Sequence, residues 1–179
     1  MQLRIIDEAC MDRATDMAIR DGLCVCFPAN RDVFAQTRAW HGSAPAFTVL
    51  LEDDRRIIAH VGVVQRTIRV GEADLAIAGV QNVFVLPGFR GRGLADRLLA
   101  VAMADAMWRR LDAGLLFCLP ALEKVYARCG WKTLPRRTVH ATRATGERYV
   151  LDDRNIMMFF PLLAREFPAG EIDLRGDDW

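Results

Sequence analysis

Charge imbalance is what this chain has least of: 24 Lys and Arg stand against 23 Asp and Glu, a formal +1 over 179 residues. That balance gives no field to hold a polyanion, so no nucleic-acid partner is expected. Also missing is an apolar run long enough to span a membrane, and the start MQLRIIDEAC has neither the basic segment nor the apolar core of a signal peptide. The expectation is a cytoplasmic protein with no membrane partner. Histidines number only three, and the five cysteines (Cys10, Cys24, Cys26, Cys118, Cys129) make no Cys-x-x-Cys pair and no metal spacing with them. No metal site is therefore expected, and the thiols read as reduced, small core residues. Cys118 and Cys129 have no histidine beside them in sequence to activate a nucleophile. Repeats, linkers and low-complexity stretches are absent too. What is present, 52% apolar and 26% charged residues, is the profile of one folded α/β domain over residues 1–179.

The informative stretch runs from Gly79 to Ala95, GVQNVFVLPGFRGRGLA. Val83 to Leu86 is apolar and β-branched enough for a buried strand, and Pro87-Gly88 ends it in a turn. From Arg92 onward Leu94, Leu98, Leu99, Ala102, Met103 and Ala106 recur at helical spacing. Gly91 and Gly93, with Arg90 and Arg92, thus fall at a helix N-terminus, where open N–H groups and the dipole suit a phosphate or pyrophosphate. The same letters also describe a glycine-softened turn with solvated arginines. No Gly-Lys-Ser/Thr follows and the third glycine of G-x-G-x-x-G is missing, which excludes the Walker and dinucleotide loops.

In order, Leu3–Ile6 reads as a first strand, Asp12–Leu23 as a helix, and Arg31–Arg38 as a shorter helix after Pro28 and Asn30. Trp40, His41 and Gly42 fall in a loop. Ala46–Leu51 and Ile57–Val70 form a hairpin about Glu52-Asp53-Asp54-Arg55, and Gly71-Glu72 turns the chain into Leu75–Val85. His60, inside an apolar run, reads as packed and hydrogen-bonded, and His41 and His140 as unsupported. Leu115–Cys118 is a strand and Ala121–Arg128 a helix. Trp131–Thr142 follows as a single strand, Ala144–Tyr149 as a polar turn, and Asn155–Pro161 as a last apolar strand.

Arg90-x-x-Gly93-x-Ala95 after a strand, with Tyr126-x-x-x-Gly130-Trp131 downstream, resembles the two signatures of the GCN5-related N-acetyltransferase (GNAT) superfamily. The resemblance implies an α/β (α+β) fold, with a mixed, mostly antiparallel central sheet of six to seven strands flanked by about four helices. It implies acetyl-CoA, or a longer acyl-CoA, as cofactor. Val83, Phe84 and Val85 would meet the pantetheine arm and the amides of Arg90, Gly91, Arg92, Gly93, Leu94 and Ala95 the diphosphate, with a bulge near Gln81-Asn82 making room. The implied catalytic positions are Tyr126, as proton donor to the departing thiolate, Gln81, and Val83 through its backbone. The end GDDW is similar to that of aminoglycoside 2'-N-acetyltransferases, which places Asp177 and the Trp179 carboxylate against acceptor ammonium groups, with Asp32, Trp40, Gln81 and Asn82 in the same pocket. Where those enzymes carry a strand glutamate as base, this chain has Gln81. An amide cannot take the ammonium proton, so Asp32 or Glu72 would act through water or the amine would arrive neutral. AHVG, VGEADL and FPAGEID also resemble the rhizobial nodulation acyltransferase, which moves a longer acyl chain onto an amino sugar, so the acyl length stays open.

The resulting expectation is an acyl-CoA-dependent N-acyltransferase acting on a primary amine of a small molecule, such as an amino sugar or aminoglycoside. A catalytically silent acyl-CoA sensor and a protein N-acetyltransferase are the alternatives. Dimers are common in that superfamily, so a homodimer stands as an option for which the letters show no interface.

Overall fold

The computed structural model describes residues 1–152 and 154–179. The chain runs from β1 (Gln2–Asp7) through α1 (Arg13–Cys26) and a four-residue α2 (Arg31–Phe34) into β2 (Phe47–Asp53), β3 (Arg56–Val70) and β4 (Ala73–Val85). α3 (Leu94–Trp108), β5 (Ala113–Cys118), α4 (Glu123–Ala127), β6 (Lys132–Thr133), β7 (Val139–Thr142), β8 (Arg148–Val150), β9 (Ile156–Pro161) and β10 (Ile172–Asp173) complete it. Among the described residues all ten strands join one sheet in the order β6-β9-β5-β4-β3-β10-β7-β8, with β2 and then β1 added along the first half of β3. Only β4 with β5 and β10 with β7 run parallel among the described residues.

Local chemistry accounts for the main elements. Asp12 caps α1 by accepting from the Thr15 N–H at 2.8 Å. Asp54 and Arg55 both take positive φ in the two-residue loop joining β2 to β3, a conformation whose twist suits a hairpin. α3 buries Leu94, Leu98, Leu99, Ala102, Met103 and Ala106 on the sheet, while α1 lies on the opposite face with Ile19 and Leu23 fully buried. Gly22 of α1 sits where an added Cβ would be 2.3 Å from the Phe84 ring, so the absence of a side chain sets how closely α1 approaches β4. One core cluster lies under these helices, and a second gathers Ile68, Ile77, Leu115, Phe159, Leu174 and Trp179.

The fold class is as the sequence implies, and among the described residues there are four α-helices and a sheet of ten strands rather than six or seven. The extra members β6, β8 and β10 are two or three residues long and are defined by their partners rather than by any period of their own. The expected strand Trp131–Thr142 is interrupted: β6 ends at Thr133, Pro135 lacks a ladder donor, and β7 begins only at Val139. The expected turn Ala144–Tyr149 is partly strand, because Arg148–Val150 folds back on Val139–Thr142. α2 stops at Phe34 instead of Arg38, and the chain beyond it turns away to bury Arg38 against Glu8 and Asp16. Among the described residues no helix is long and apolar enough to cross a membrane.

Candidate active site

The site begins where two parallel strands part. β4 and β5 pair only over Ile77–Gly79 and Ala113–Leu115. Beyond that, β4 continues along β3 to Val85 and β5 continues along β9 to Cys118, leaving a gap between them. The apex is filled by the Trp179 indole. An added Cβ on Gly79 would stand 2.4 Å from its Cε2, the Nε1–H donates to the Leu115 carbonyl at 3.4 Å, and Phe117 packs at 5.7 Å between ring centroids. Leu86 N–H reaches Ile58 O on β3, so by strand alternation Val83 and Val85 turn their backbone groups to the gap. The Val85 carbonyl there accepts from Arg90 Nε at 3.0 Å and from the Cys26 thiol at 3.7 Å.

At the open end of the gap the chain enters α3. Gly91 and Gly93 take φ of +75° and +68°, and nothing lies within 4 Å of where their Cβ atoms would be. Among the described residues no protein acceptor meets the consecutive backbone amides from Gly91 to Ala95. Successive open amides at the start of a fifteen-residue helix form an anion-binding concavity. Arg92 donates to the Gly88 carbonyl at 3.2 Å and lies over Phe89, so its charge is held at the rim.

Tyr126 on α4 borders the gap from the other side. Its ring meets Trp131 edge-on at 6.3 Å, and Gly130, at φ +90°, turns the chain so that Trp131 packs on Phe160. Burial, reinforced by the neighbouring Cys118 and Cys129, pushes the phenol pKa well up, so this hydroxyl keeps its proton. Among the described residues it has no hydrogen-bond partner. Burial also pushes the Cys118 thiol up to about 11 and raises Cys129, which leaves neither as a thiolate nucleophile.

On the opposite side of β4 the ladder with β3 slips between His60 and Gly62, and Asn82 takes φ +54° in the resulting bulge. The bulge holds a loop. Gln81, buried, accepts from Trp40 N–H at 3.0 Å and donates to the Ser43 carbonyl at 2.7 Å, while the Asn82 amide donates to the Arg38 carbonyl at 2.7 Å. Trp40–Ser43 is a tight turn closed by Ser43 N–H to Trp40 O at 2.8 Å, with both central residues, His41 (+44°) and Gly42 (+83°), at positive φ. The tail comes to meet it. Asp178 accepts from His41 Nδ1–H at 2.5 Å and from the Tyr149 hydroxyl at 2.9 Å, and the same hydroxyl hydrogen-bonds Asp177. Arg66 on β3 supports the arrangement by donating to the Asp177 carbonyl at 2.6 Å and standing 5.4 Å over the Trp179 ring. Burial is the largest single influence on Asp178 and works to raise its pKa, but the bond and charge of His41 together with hydrogen bonds with Tyr149 and Asp177 hold the carboxyl below its usual range. In return Asp178 raises His41 above 6.5. Trp40, His41, Tyr149, Asp177 and Asp178 line a cleft of about 1340 Å³ that reaches to Phe117 and Leu119 at the end of β5.

The sequence-derived site divides accordingly. Val83, Val85, Arg90 to Ala95 and Tyr126 surround the gap, whereas Phe84 points into the core beneath α1. Trp40 and Asp177 line the cleft. Gln81 has its amide committed to the loop and is a brace, and Asn82 shapes the bulge. Trp179 is a buried wedge. Asp32 is exposed on α2 and does not line the cleft, which that segment reaches through Asn30; Glu72 is fully exposed in the β3–β4 turn at the far end of the sheet. Neither is placed to act as a base. His60 is packed, as expected: its Nδ1 lies 2.9 Å from the Asn82 carbonyl and burial lowers its pKa to about 4, so it is neutral. His41, Tyr149 and Asp178 were not legible as a group. The one local signal was His41-Gly42, a dipeptide suited to a turn of this kind.

The family model described as Nodulation protein A (NodA) matches residues 2–177. Among individual relatives, a Nodulation protein A of Rhizobium sp. (strain N33) is 37% identical over 68 residues, 38% of this chain and 35% of that protein. One from Bradyrhizobium elkanii is 27% identical over 120 residues, 66% of this chain and 49% of that protein. The chain thus spans about half or less of the length of these curated relatives. By structure, the GNAT family N-acetyltransferase YhbS from Escherichia coli, solved with CoA, superposes with a TM-score of 0.68 at 17% identity, over 97% of this chain and 89% of that one. A GNAT family acetyltransferase from Brucella melitensis, solved with acetyl-CoA, gives 0.60 at 16% identity, over 96% and 94%. At such identities the likeness establishes a shared GNAT fold.

Proposed function

The chain belongs to the nodulation protein A family, and from that premise we propose that it is an acyl-CoA-dependent N-acyltransferase whose residues 1–179 act as one domain on a primary amine of a small acceptor, an amino sugar in the first instance. The observation that carries this reading is the gap between β4 and β5, with unpaired amides at one end and a protonated tyrosine beside it.

These residues fit acyl-CoA. The amides of Gly91 to Ala95 would hold the diphosphate, and the backbone of Val83 with the N–H of Val85 would meet the pantetheine amides as an added strand does. Acyl-CoA, when bound, supplies the thioester that the amine attacks. The Val83 N–H faces the gap, where it can stabilise negative charge developing on the carbonyl oxygen. Tyr126 holds the proton that the departing sulfur takes. Asp177 and Asp178 offer the carboxylate surface that an ammonium acceptor needs, with Trp40 as an apolar wall of the cleft.

The test is thermal stabilisation by acetyl-CoA and by lauroyl-CoA, followed by thiol release with glucosamine, deacetylated chitin oligomers and kanamycin as amines. Stabilisation by at least one thioester together with amine-dependent thiol release is expected. If no CoA species raises the melting temperature, the proposal fails.

A further inference from the structure

With Gln81 committed to the loop and Asp32 and Glu72 remote, the carboxylate that would take the ammonium proton has no counterpart on β4. The structure offers another group at the cleft. We propose that the His41 imidazole is the general base of the reaction, with Asp178 as its positioning carboxylate. The inference rests on the amine-acylation reading above.

Three observations carry it. First, Asp178 binds Nδ1 at 2.5 Å, which fixes the tautomer and leaves Nε2 as the accepting atom. Second, the imidazole is held from several directions: its ring lies 4.5 Å from that of Trp40, Trp40 N–H is tied to Gln81, and Ser43 Oγ is tied to the Asp177 carbonyl at 3.1 Å. Third, His41 lines the cleft together with Trp40, Phe117 and Asp177, and about half of its side chain is exposed, so an acceptor can reach Nε2.

The charged groups around it suit the task. Asp178 and Asp177 from the tail favour the imidazolium, Arg143 from the β7–β8 turn opposes it, and Tyr149 shares its hydroxyl between the two carboxylates. Arg66, Asp173 and Arg175 flank the adjoining hollow, with Arg66 engaged by the Asp177 carbonyl and Arg175 by Asp74 at 2.6 Å. The protons balance as follows. His41 Nε2 takes one proton from the ammonium, and the freed lone pair forms the bond to the thioester carbon as the carbon–sulfur bond breaks. Tyr126 gives its proton to sulfur and recovers one from the nitrogen as the amide forms. His41 then releases its proton to solvent.

The experiment pairs a measurement that needs no turnover with one that does. Imidazole resonances of the wild type, His41→Gln and Asp178→Asn are followed against pH, and kcat/KM for acetyl-CoA with glucosamine is measured over the same range. The His41 resonance is expected to titrate above 6.5 with a protonated Nδ1 in its neutral form, and Asp178→Asn should lower its midpoint. His41→Gln should cut kcat/KM at neutral pH about a hundredfold or more, and the deficit should shrink toward alkaline pH as the amine arrives already neutral. Acetyl-CoA stabilisation should be unchanged in both variants. A His41 resonance indifferent to Asp178→Asn, or a His41→Gln profile parallel to the wild type, would overturn the proposal while leaving the acyltransferase reading intact. Turnover abolished by EDTA and restored by a divalent ion would also overturn it, since His41, Asp177 and Asp178 lie close enough to share a cation. Failure of the wild type to bind any CoA species would instead sink the reading on which it rests.

Discussion

Replacing Gly79 by alanine tests whether the Trp179 wedge sets the geometry of the gap. The new methyl would stand 2.4 Å from Cε2, 2.7 Å from Nε1 and 2.8 Å from Cδ2 of the indole. Carbon contacts are comfortable at about 3.5–4.0 Å, so the ring must retreat by roughly 1 Å or more. It has little room: Phe117 packs against it, the Leu115 carbonyl takes its N–H, Arg66 covers it, and the residue is only 4% exposed. Overpacking of this kind costs about 1–3 kcal/mol, and expulsion of the ring would cost about 3–5 kcal/mol, the usual loss for truncating a buried aromatic. We expect a loss of about 2–4 kcal/mol in urea denaturation followed by circular dichroism, and a weaker thermal response to acetyl-CoA because the gap no longer keeps its width. In a Trp179→Ala background the same substitution should cost under about 1 kcal/mol, a coupling of about 2 kcal/mol in the double-mutant cycle. Additive losses, or a Gly79→Ala protein as stable as the parent, would refute the argument that these two positions form one fitted contact.

Three further outcomes follow from the geometry. Tyr126→Phe should lower kcat by about 10²–10⁴-fold, with acetyl-CoA still raising the melting temperature; unchanged kcat in a thiol-release assay would point to the silent sensor. Gly93→Ala, at φ +68°, should cost about 1–2 kcal/mol of strain and also reduce stabilisation by acetyl-CoA. Gly146→Ala, at φ +86° in the β7–β8 turn, should cost a similar amount without touching the CoA response, and thermal shifts of both variants make the comparison. Finally, His60 is fully buried and neutral, its pKa lowered to about 4, so below pH 6.5 the unfolded chain takes up a proton that the folded one refuses. Stability is therefore complete above pH 6.5 and declines as pH falls toward 4, by about 3 kcal/mol in full. Denaturation midpoints at a series of pH values should show that slope, and His60→Gln should flatten it.

The two halves of the site differ in how far the letters revealed them, and the reason is sequence separation. The turn of open amides is local: a buried strand, Pro87-Gly88, two glycines and an apolar helical stripe lie within thirty or so consecutive residues, and each carries its own period or turn chemistry. The same holds for the long β3–β4 hairpin, announced by Gly71. The cleft is assembled from the loop at Trp40–Ser43, Tyr149 and the last residues, with His41 and Asp178 separated by 137 positions. No spacing rule links such residues, and His41 in isolation has nothing to recommend it. The short strands β6, β8 and β10 were missed for a related reason, since two or three residues have no alternation to read. That position 81 carries an amide is plain in the sequence, but only its bonds to Trp40 and Ser43 show the structural task that an amide performs there with both a donor and an acceptor.

The divergence of β4 from β5 leaves, among the described residues, two strand flanks that no neighbouring strand pairs, with full ladders on their outer sides and only side chains reaching the Leu115 and Val85 carbonyls. A flank of this type is a template for any extended polypeptide, and most proteins blunt theirs with charges or prolines. Here the rim at Val83 and Val85, both partly buried, is aliphatic. A thioester ligand bound as proposed would double as a cover, and a preparation stripped of it is the one that should self-associate on storage.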